Sequence, residues 1–585
     1  MKLTSFSDYT LRVLMFLAMD RSRLATIPEI AAAYGISENH LMKVVHQLAR
    51  SGVIESVRGK GGGIRLARDP ENIRLGQIVR TSEGGGPIVE CLSDDPGACR
   101  IAPVCQLTAV LVRAFDALYA SLDEYTLADL VRRLGRVYEV AGRFDDALHL
   151  YTTLEKLGEE RGSATLELEG LMPQAALYLT PTPYRDAGQG CGLAERILTL
   201  AGQTGRRDAE AVGHWAFQLY YVNIMSDPAR AVSEGEQALA LAREENLQEL
   251  EAFVINDIGR AYAAAGRIDD AFASFEQAYE RWRALGNEPM MADALAVWAH
   301  GLWLRGDLSG AEQAAREGLA IGRRIGNLWS QAYNGYPLGL VLLDLGRVNE
   351  AMHTLLSAAD AAIQGNFHGP EAMIALTLRW EFGWLGLPYF LDERLKGLFP
   401  TDNHLHNLTP FWQAFDAYYT GDAVAAYEAM AQVELPPMVT AGHEGAFLPL
   451  VISHLSLANG HPEAALAVID ATMQEMAAAG FNALSADYLT ARGIALAAMV
   501  RASEARDAWR AALAEARRQG ARRSEWPALV QMANTEDDPA VAAEYRREAA
   551  TAIRFLAEYL DEPELRAAFL ALPEVRRVLA AVADE

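Results

Sequence analysis

The spacing of apolar residues changes twice within positions 27–68, and each spacing predicts a different element. In "IPEIAAAYGISENHLMKVVHQLARSG" (27–52), Ile30, Ala31 and Ala33 are predicted to give a first helix its apolar face, and Gly35 turns the chain. Ser37 is a suitable N-cap for a second helix. That helix has these inward positions: Leu41, Val44, Val45 and Leu48. The alternating runs of "VIESVRGKGGGIRLAR" (53–68) predict a β-hairpin. Together these elements predict a winged helix.

The outer face of the second helix is polar and the hairpin is basic. Six Lys or Arg lie between Lys43 and Arg68, with Glu55 as the only acid. A winged helix places its second helix in the major groove of DNA, and such a charge can neutralise phosphates. We expect two sets of DNA contacts: Asn39, His40 and Lys43 in the groove, and Arg58 and Lys60 in the wing. His46 and Gln47 are also predicted to face outward. The alternative is a solvated surface without a partner.

From about residue 132 the chain repeats a helix–turn–helix phrase. "GRVYEVAGRFDDALHLY" (135–151) returns as "GRAYAAAGRIDDAFASF" (259–275). Turn glycines recur as follows: Gly266, Gly306, Gly346, Gly421 and Gly460. Such units stack into a superhelix, because one unit cannot bury its apolar face alone. The array resembles the tetratricopeptide-like repeats of bacterial signalling ATPases and cyclases. The fold class is therefore mainly α, with a winged helix (1–131) followed by an α-solenoid (132–585).

Other features of the array allow two interpretations each. "GQGCG" (188–192) could cradle a phosphate or form a repeat loop, and Cys191 is expected to be a small buried filler. Six tryptophans could line a ligand groove or form inter-helix core: Trp282, Trp298, Trp303, Trp329, Trp380 and Trp384.

Charge and composition separate the same two parts. Residues 1–131 hold 14 Lys+Arg against 15 Asp+Glu, whereas the rest holds 38 against 62, and all ten tryptophans. No apolar run reaches the roughly 18 residues of a membrane span, and the N-terminus does not resemble a secretion signal. We therefore expect a cytoplasmic protein that does not contact membranes. No catalytic constellation stands out, so an enzyme is not expected.

Three of the four cysteines lie in "CLSDDPGACRIAPVC" (91–105). Cys91, Cys99 and Cys105 lack the C-x₂₋₄-C pairs typical of structural zinc. Three clustered thiolates suit an iron–sulfur cluster whose fourth ligand comes from elsewhere. A thiol switch is the alternative.

Residues 1–131 resemble the NsrR-type nitric-oxide-sensing repressors, a branch of the iron–sulfur winged-helix regulators that includes IscR. The matching phrases are "MKLTSFSDYTLRVLMFLA", "YGISENHLMKVVHQLARSGVIESVRGKGGGIRLAR" and "LDEYTLADLV". The resemblance implies a homodimer formed through a long helix at about 104–125. That helix has one apolar stripe: Leu107, Val110, Leu111, Ala114, Phe115, Leu118 and Leu122.

The resemblance also implies a ligand set and a signal. The three cysteines would hold a [4Fe–4S] cluster, with [2Fe–2S] as the alternative, and Asp8 of the other subunit would complete it. Nitric oxide would attack this cluster, release a palindromic operator and derepress nitric-oxide detoxification genes. The seven-residue gap after Cys91 is longer than in familiar members, so Asp94 or Asp95 could replace Asp8. Asp8 could instead be a helix N-cap.

The array is expected to recruit a partner or to receive a second signal. It offers a long surface for an unknown protein partner. Two alternatives to nitric-oxide sensing stay open: a protein-interaction scaffold in which the array is the working part, and a regulator that senses redox state or cluster supply.

Overall fold

A computed structural model describes most of the chain in seven long stretches: 3–19, 23–59, 61–84, 107–140, 142–180, 182–367 and 443–583. It also describes short pieces between them: 369–371, 373–375, 377–378, 414, 417 and 422–430. Cys91, Cys99, Cys105 and Lys60 lie outside the described residues, as do Trp380 and Trp384.

The chain divides into two compact units, each described by itself. The first contains Met1–Glu139, Arg143–Ala175 and Arg196–Ala209, and the second contains Val140–Gly142, Ala176–Glu195 and Glu210–Glu585. A single helix, Leu127–Val140, covers the predicted boundary at residues 131 and 132. The two-domain division at that point stays a prediction.

The N-terminal part contains helices, one hairpin and a short 3₁₀ turn at Pro70–Asn72. The elements are α1 (Ser5–Met19), α2 (Ile27–Tyr34), α3 (Glu38–Arg50), β1 (Ile54–Val57), β2 (Gly63–Leu66), α4 (Leu75–Ser82), α5 (Leu107–Asp123) and α6 (Leu127–Val140). This order confirms the predicted winged helix.

Local sequence explains how α2 and α3 begin and end. Thr26 and Glu29 form a reciprocal capping box at the start of α2, and Gly35 ends that helix in the left-handed conformation with φ 63°. Ser37 caps α3 as predicted. The four predicted inward positions of α3 are all buried, and so is Ile30. Ala33, however, is exposed, because the short α2 buries fully only Ile30.

The wing is the antiparallel pair β1–β2, in which Ile54 lies opposite Leu66 and Val57 opposite Gly63. Ala25 joins the edge of β2 through two backbone hydrogen bonds with Ile64, of 3.0 and 2.8 Å. Gly63 permits this approach, because a Cβ there would lie 2.6 Å from the Ala25 carbonyl oxygen.

The rest of the described chain is helical and consists of paired helices. They are α7 (Phe144–Arg161), α8 (Ala164–Leu179), α9 (Ala187–Thr204), α10 (Arg207–Asn223), α11 (Pro228–Glu244), α12 (Gln248–Ala264), α13 (Ile268–Leu285), α14 (Glu288–Leu304), α15 (Leu308–Ile325), α16 (Leu328–Asp344), α17 (Val348–Gln364), α18 (Ala423–Met430), α19 (His443–Ala458), α20 (Pro462–Ala478), α21 (Ser485–Ala498), α22 (Ala502–Gln519), α23 (Arg522–Thr535), α24 (Pro539–Glu558), α25 (Pro563–Ala571) and α26 (Pro573–Ala583).

Glycine turns separate the helices of the array, as predicted. Gly266, Gly306, Gly346 and Gly460 have φ between 75° and 79°, a conformation that side chains with a Cβ rarely adopt. The predicted turn at Gly421 lies outside the described residues. Helical pairs with these turns confirm the predicted tetratricopeptide-like array.

Two smaller predictions for the array are corrected. The "GQGCG" stretch is neither a loop nor a cradle: it lies inside α9, and Asp186 accepts a hydrogen bond from the Gln189 backbone N–H at 2.9 Å to cap that helix. Cys191 is half-buried rather than buried, and burial raises the pKa of its thiol.

A buried ion cluster joins distant helices of the second unit. Asp344 on α16 accepts hydrogen bonds from Trp303 Nε1 at 2.7 Å and from Arg523 Nη2 on α23 at 2.9 Å. Arg523 is only 4% exposed and also lies 3.5 Å from Asp487 on α21. Trp282 and Trp303 are fully buried, which agrees with the core interpretation for these two tryptophans. Within the described part of the chain, no helix is long and apolar enough to cross a membrane.

Candidate nucleic-acid interface and iron site

The predicted groove residues lie together on the exposed side of α3. Asn39, His40 and Lys43 are all exposed, and so is His46. Arg58 is exposed at the end of β1, while Lys60 lies outside the described residues. Helix α3 holds this face outward because its opposite side is buried against the unit's core.

His40 also has partners within the protein. Its Nδ1 lies 3.0 Å from Ser37 Oγ, and its ring is 6.0 Å from the ring of Tyr9 on α1. The Tyr9 contact connects α1 to the start of α3. His40 therefore has a defined position before any ligand binds.

Gln47 does not belong to the outer face in the way that the sequence predicted. It is half-buried, and its Nε2 donates a 2.6 Å hydrogen bond to the backbone oxygen of Thr81 on α4. The helical spacing alone could not reveal this bond, because its partner lies 34 residues away. Gln47 fixes the end of α3 against α4.

The basic residues of this region divide into paired and unpaired groups. Arg65 forms an ion pair with Glu55, and Arg68 donates to the backbone oxygens of Gly52 and Ser51. Among the described residues, no carboxylate lies within ion-pair distance of these three: Lys43, Arg50 and Arg58. These unpaired charges are suited to phosphate contacts.

Asp8 lies in the first turn of α1 rather than at its cap. Thr4 is the N-cap, since its Oγ1 accepts a hydrogen bond from the Ser7 backbone N–H at 3.3 Å and its carbonyl accepts one from the Asp8 N–H at 3.2 Å. The N-cap alternative for Asp8 is therefore wrong. The side chain of Asp8 is 49% exposed and forms a 3.1 Å ion pair with Arg12.

Glu83 holds the turn of α1 that precedes Asp8, a role that the sequence did not reveal. Its Oε1 accepts hydrogen bonds from the Thr4 N–H at 2.9 Å, from Thr4 Oγ1 at 3.0 Å and from Ser7 Oγ. Burial alone would raise the pKa of Glu83, but these hydrogen bonds lower it below its usual value. Glu83 stands eight positions before Cys91 in the sequence.

The Asp8 carboxylate is accessible to a metal group. An exposed carboxylate held only by a surface ion pair costs little to recruit, because such pairs contribute roughly 0–1 kcal/mol. Among the described residues, no three His, Cys, Asp or Glu side chains are arranged to hold a metal ion. The three cysteines lie outside those residues, so the ligand set of Cys91, Cys99, Cys105 and Asp8 stays a prediction.

Helix α5 occupies Leu107–Asp123, within the predicted range of 104–125. The described residues cover its predicted apolar stripe only in part: Leu107 is 59% exposed and Val110 is 49% exposed. Phe115 and Leu118 are half-buried. An apolar stripe of this kind suits a helix that packs against a partner.

Comparisons with known proteins agree with this architecture. The family model "Rrf2: Iron-dependent Transcriptional regulator" matches residues 3–133. The transcriptional regulator NsrR of Bacillus subtilis is 52% identical over 133 residues, which cover 23% of this chain and 91% of that protein. NsrR of Geobacillus kaustophilus is 46% identical over 132 residues, covering 22% of this chain and 90% of that protein.

A solved structure of a Rap protein complexed with competence and sporulation factor covers 72% of this chain and 99% of its own, with 13% identity and a TM-score of 0.35. A likeness at this level adds nothing to the assignment of the array. The match of the N-terminal residues is stronger, because it is 52% identical to a relative and spans 91% of that protein. Through its first 133 residues, the chain belongs to the Rrf2 family of transcriptional regulators.

Proposed function

We propose that this regulator is a homodimeric repressor that responds to nitric oxide through an iron–sulfur cluster. The observation that carries the proposal is the position of Asp8: an exposed carboxylate on α1, next to Tyr9, which contacts the recognition helix α3 through His40. A ligand change at Asp8 is therefore one residue away from a contact with the DNA-binding face.

The proposed ligands are Cys91, Cys99 and Cys105 of one subunit and Asp8 of the other. When bound, a [4Fe–4S] cluster would supply iron that can react with nitric oxide. The chain's own part is positional. Arg12 would release Asp8 and become hydrated when Asp8 binds the cluster. Glu83 holds the first turn of α1 in place.

Operator DNA is the proposed partner of α3 and the wing. Asn39, His40 and Lys43 would contact base edges and phosphates in the major groove, while Arg58 and Lys60 would contact the backbone or minor groove. The uncovered stripe of α5 would pair with its twin, which would set the spacing of two recognition helices on a palindrome.

The metal assignment is tested by anaerobic purification with iron and sulfide analysis. The wild-type chain should hold about four irons and four sulfides, the composition of a [4Fe–4S] cluster. Cys99→Ser should abolish the cluster. Asp8→Ala should retain it but lose iron faster in air, whereas Asp116→Ala, which removes an exposed acid of α5, should behave like the wild type.

A chain that holds no iron after reconstitution would contradict the proposal and favour a thiol switch. Two irons per chain would favour a [2Fe–2S] cluster. Equal stability of Asp8→Ala and wild type in air would favour Asp94 or Asp95 as the fourth ligand. A protein partner of the array is proposed as a separate interaction. A chain that binds such a partner but no operator would favour the scaffold alternative.

A further inference from the structure

Two neighbouring arginines of the repeat array, Arg185 and Arg260, share Asn223 as a hydrogen-bond partner and lack a described acidic one. In the part of the chain that the structure describes, no carboxylate lies within ion-pair distance of Arg185 or Arg260. Arginines in the adjacent helices are paired with acids, as in Arg243–Glu251, Arg267–Asp270 and Arg281–Glu251. Although the array is acidic, Arg185 and Arg260 have no counter-charge among the described residues.

Asn223 holds the two guanidinium groups side by side. Arg260 Nη2 donates a 2.7 Å hydrogen bond to Asn223 Oδ1, and Arg185 Nη2 donates to the Asn223 backbone oxygen. Asn223 Nδ2 in turn donates to the Leu179 oxygen at 3.0 Å. The two cations are thus placed by side-chain and backbone bonds from three separate segments of the second unit.

The charge of Arg260 affects the pKa values of the neighbouring groups. Burial and then the charge of Arg260 lower the pKa of Arg185. Burial, followed by the same charge, lowers the pKa of His300 on α14 to about 4. Like charges fixed together are unfavourable unless an anion joins them.

Aromatic residues of the following repeats lie within electrostatic range of Arg260. Arg260 is close enough to Tyr333 on α16 to oppose the rise in the pKa of Tyr333 that burial causes. Trp329 stacks on Tyr333 with a ring separation of 4.2 Å. His300 Nε2 is buried and has no hydrogen-bond partner among the described residues.

One acid faces the same surface but is already engaged. Asp293 accepts hydrogen bonds from Trp329 Nε1 at 2.7 Å and from Asn256 Nδ2 at 3.2 Å. Asp293 also raises the pKa of Tyr333, so it favours the neutral phenol. This part of the array therefore combines a fixed positive pair with the stacked rings of Trp329 and Tyr333 and a buried imidazole nitrogen that has no hydrogen-bond partner among the described residues.

We propose that Arg185 and Arg260 form the anion-binding part of a small-molecule site on the face lined by α10, α12, α14 and α16. The ligand carries a carboxylate or a phosphate next to an aromatic or apolar group. Guanidinium forks bind both anions through paired hydrogen bonds. Small-molecule sites typically combine apolar walls with a few placed polar groups. This site is separate from the DNA-binding function and gives the array an input of its own.

Calorimetric titration of the full-length protein at low ionic strength tests the site. Three probes are used: inorganic phosphate, citrate and N-acetyltryptophan. At least one should bind the wild type in the millimolar range or tighter. The double variant Arg185→Gln/Arg260→Gln should bind that probe about tenfold more weakly or worse, as expected for lost hydrogen bonds to a charged group. Phosphate binding alone would identify a phosphate ligand, and binding of the other two would identify a carboxylate.

The control removes the same charge elsewhere. Arg283→Gln/Arg510→Gln changes two exposed arginines that pair within their own helices, and its affinity should match the wild type. If the site variant does not fold, the single change Arg185→Gln should still weaken binding about threefold or more. A wild type that binds none of the probes, or a folded site variant that binds them equally well, would overturn the proposal.

Discussion

The DNA-binding face and the repeat array use their basic side chains in different ways. On α3 and the wing, Lys43, Arg50 and Arg58 have no acidic partner among the described residues. In the array, arginine is mostly a structural cation that bridges helices, as in Arg196–Glu167, Arg206–Glu169, Arg316–Glu350 and Arg517–Glu548.

The role of an arginine in this chain depends on whether a carboxylate lies beside it. An arginine with a carboxylate already in place stabilises the fold, whereas one without it leaves a charge for a ligand. Arg185 and Arg260 lie in the array, but like the cations of the DNA-binding face they have no acidic partner among the described residues. The changes that follow test this division, starting with the largest expected effect.

The strongest case of a structural cation is Arg523. Arg523→Ala would leave Asp344 buried without its partner, so we expect a loss of about 3–5 kcal/mol in the free energy of unfolding. Urea denaturation followed by circular dichroism measures it. Arg510→Ala, which breaks an exposed pair with Asp507, should change stability by less than about 0.5 kcal/mol. Equal effects of the two changes would show that the buried Arg523–Asp344 pair contributes no more to stability than an exposed pair.

The DNA face should show the opposite behaviour. Arg58→Ala/Lys60→Ala should leave stability unchanged, because Arg58 has no described acidic partner, but weaken operator binding about 100-fold. The slope of log affinity against log salt should fall by about 2, one per phosphate contact. Arg65→Ala, whose partner is Glu55, is the matched control and should affect binding less. Unchanged DNA affinity in the double variant would remove Arg58 and Lys60 from the interface.

His300 should make the stability of the array depend on pH. Its folded-state pKa of about 4 lies below the ordinary value of 6.5, so the unfolded chain takes up a proton first. The stabilisation is complete above pH 6.5 and is lost as pH falls toward 4, a change of roughly 3 kcal/mol, since one pKa unit corresponds to about 1.4 kcal/mol. His300→Phe should flatten this part of the stability profile relative to wild type, as measured by urea unfolding at several pH values. Parallel profiles would show that His300 is not desolvated beside Arg260.

Glu83 gives the smallest expected effect, because it uses neutral donors rather than an arginine. Glu83→Ala would release the Thr4 and Ser7 donors, with an expected loss of about 1–2 kcal/mol. Hydrogen exchange of the α1 amides should become faster while the array amides stay unchanged. Glu71→Ala, a change in the 3₁₀ turn, serves as the comparison variant. If α1 exchanges equally in both variants, Glu83 does not hold this turn.

Local patterns in the sequence predicted the elements well. The buried set of α3, the Ser37 cap and the repeated glycine turns depend on residues within one or two helical turns of each other. The sequence therefore contains most of the information needed for both parts of the fold.

Contacts between distant residues could not be predicted in this way. The bond from Gln47 to Thr81 spans 34 residues, and the Arg523–Asp344 pair spans 179. The N-cap role considered for Asp8 belongs to Thr4, four residues earlier. Asn223 likewise joins Arg185 and Arg260 only after the repeats stack.

The central claim is that nitric oxide controls operator binding through the N-terminal unit. The most direct measurement is operator affinity of the anaerobically purified protein, by fluorescence anisotropy, before and after stoichiometric nitric oxide. We expect sub-micromolar binding to a palindromic duplex that is lost as nitric oxide is added. An iron-loaded protein whose operator affinity does not change with nitric oxide would contradict the claim and favour a redox or cluster-supply signal.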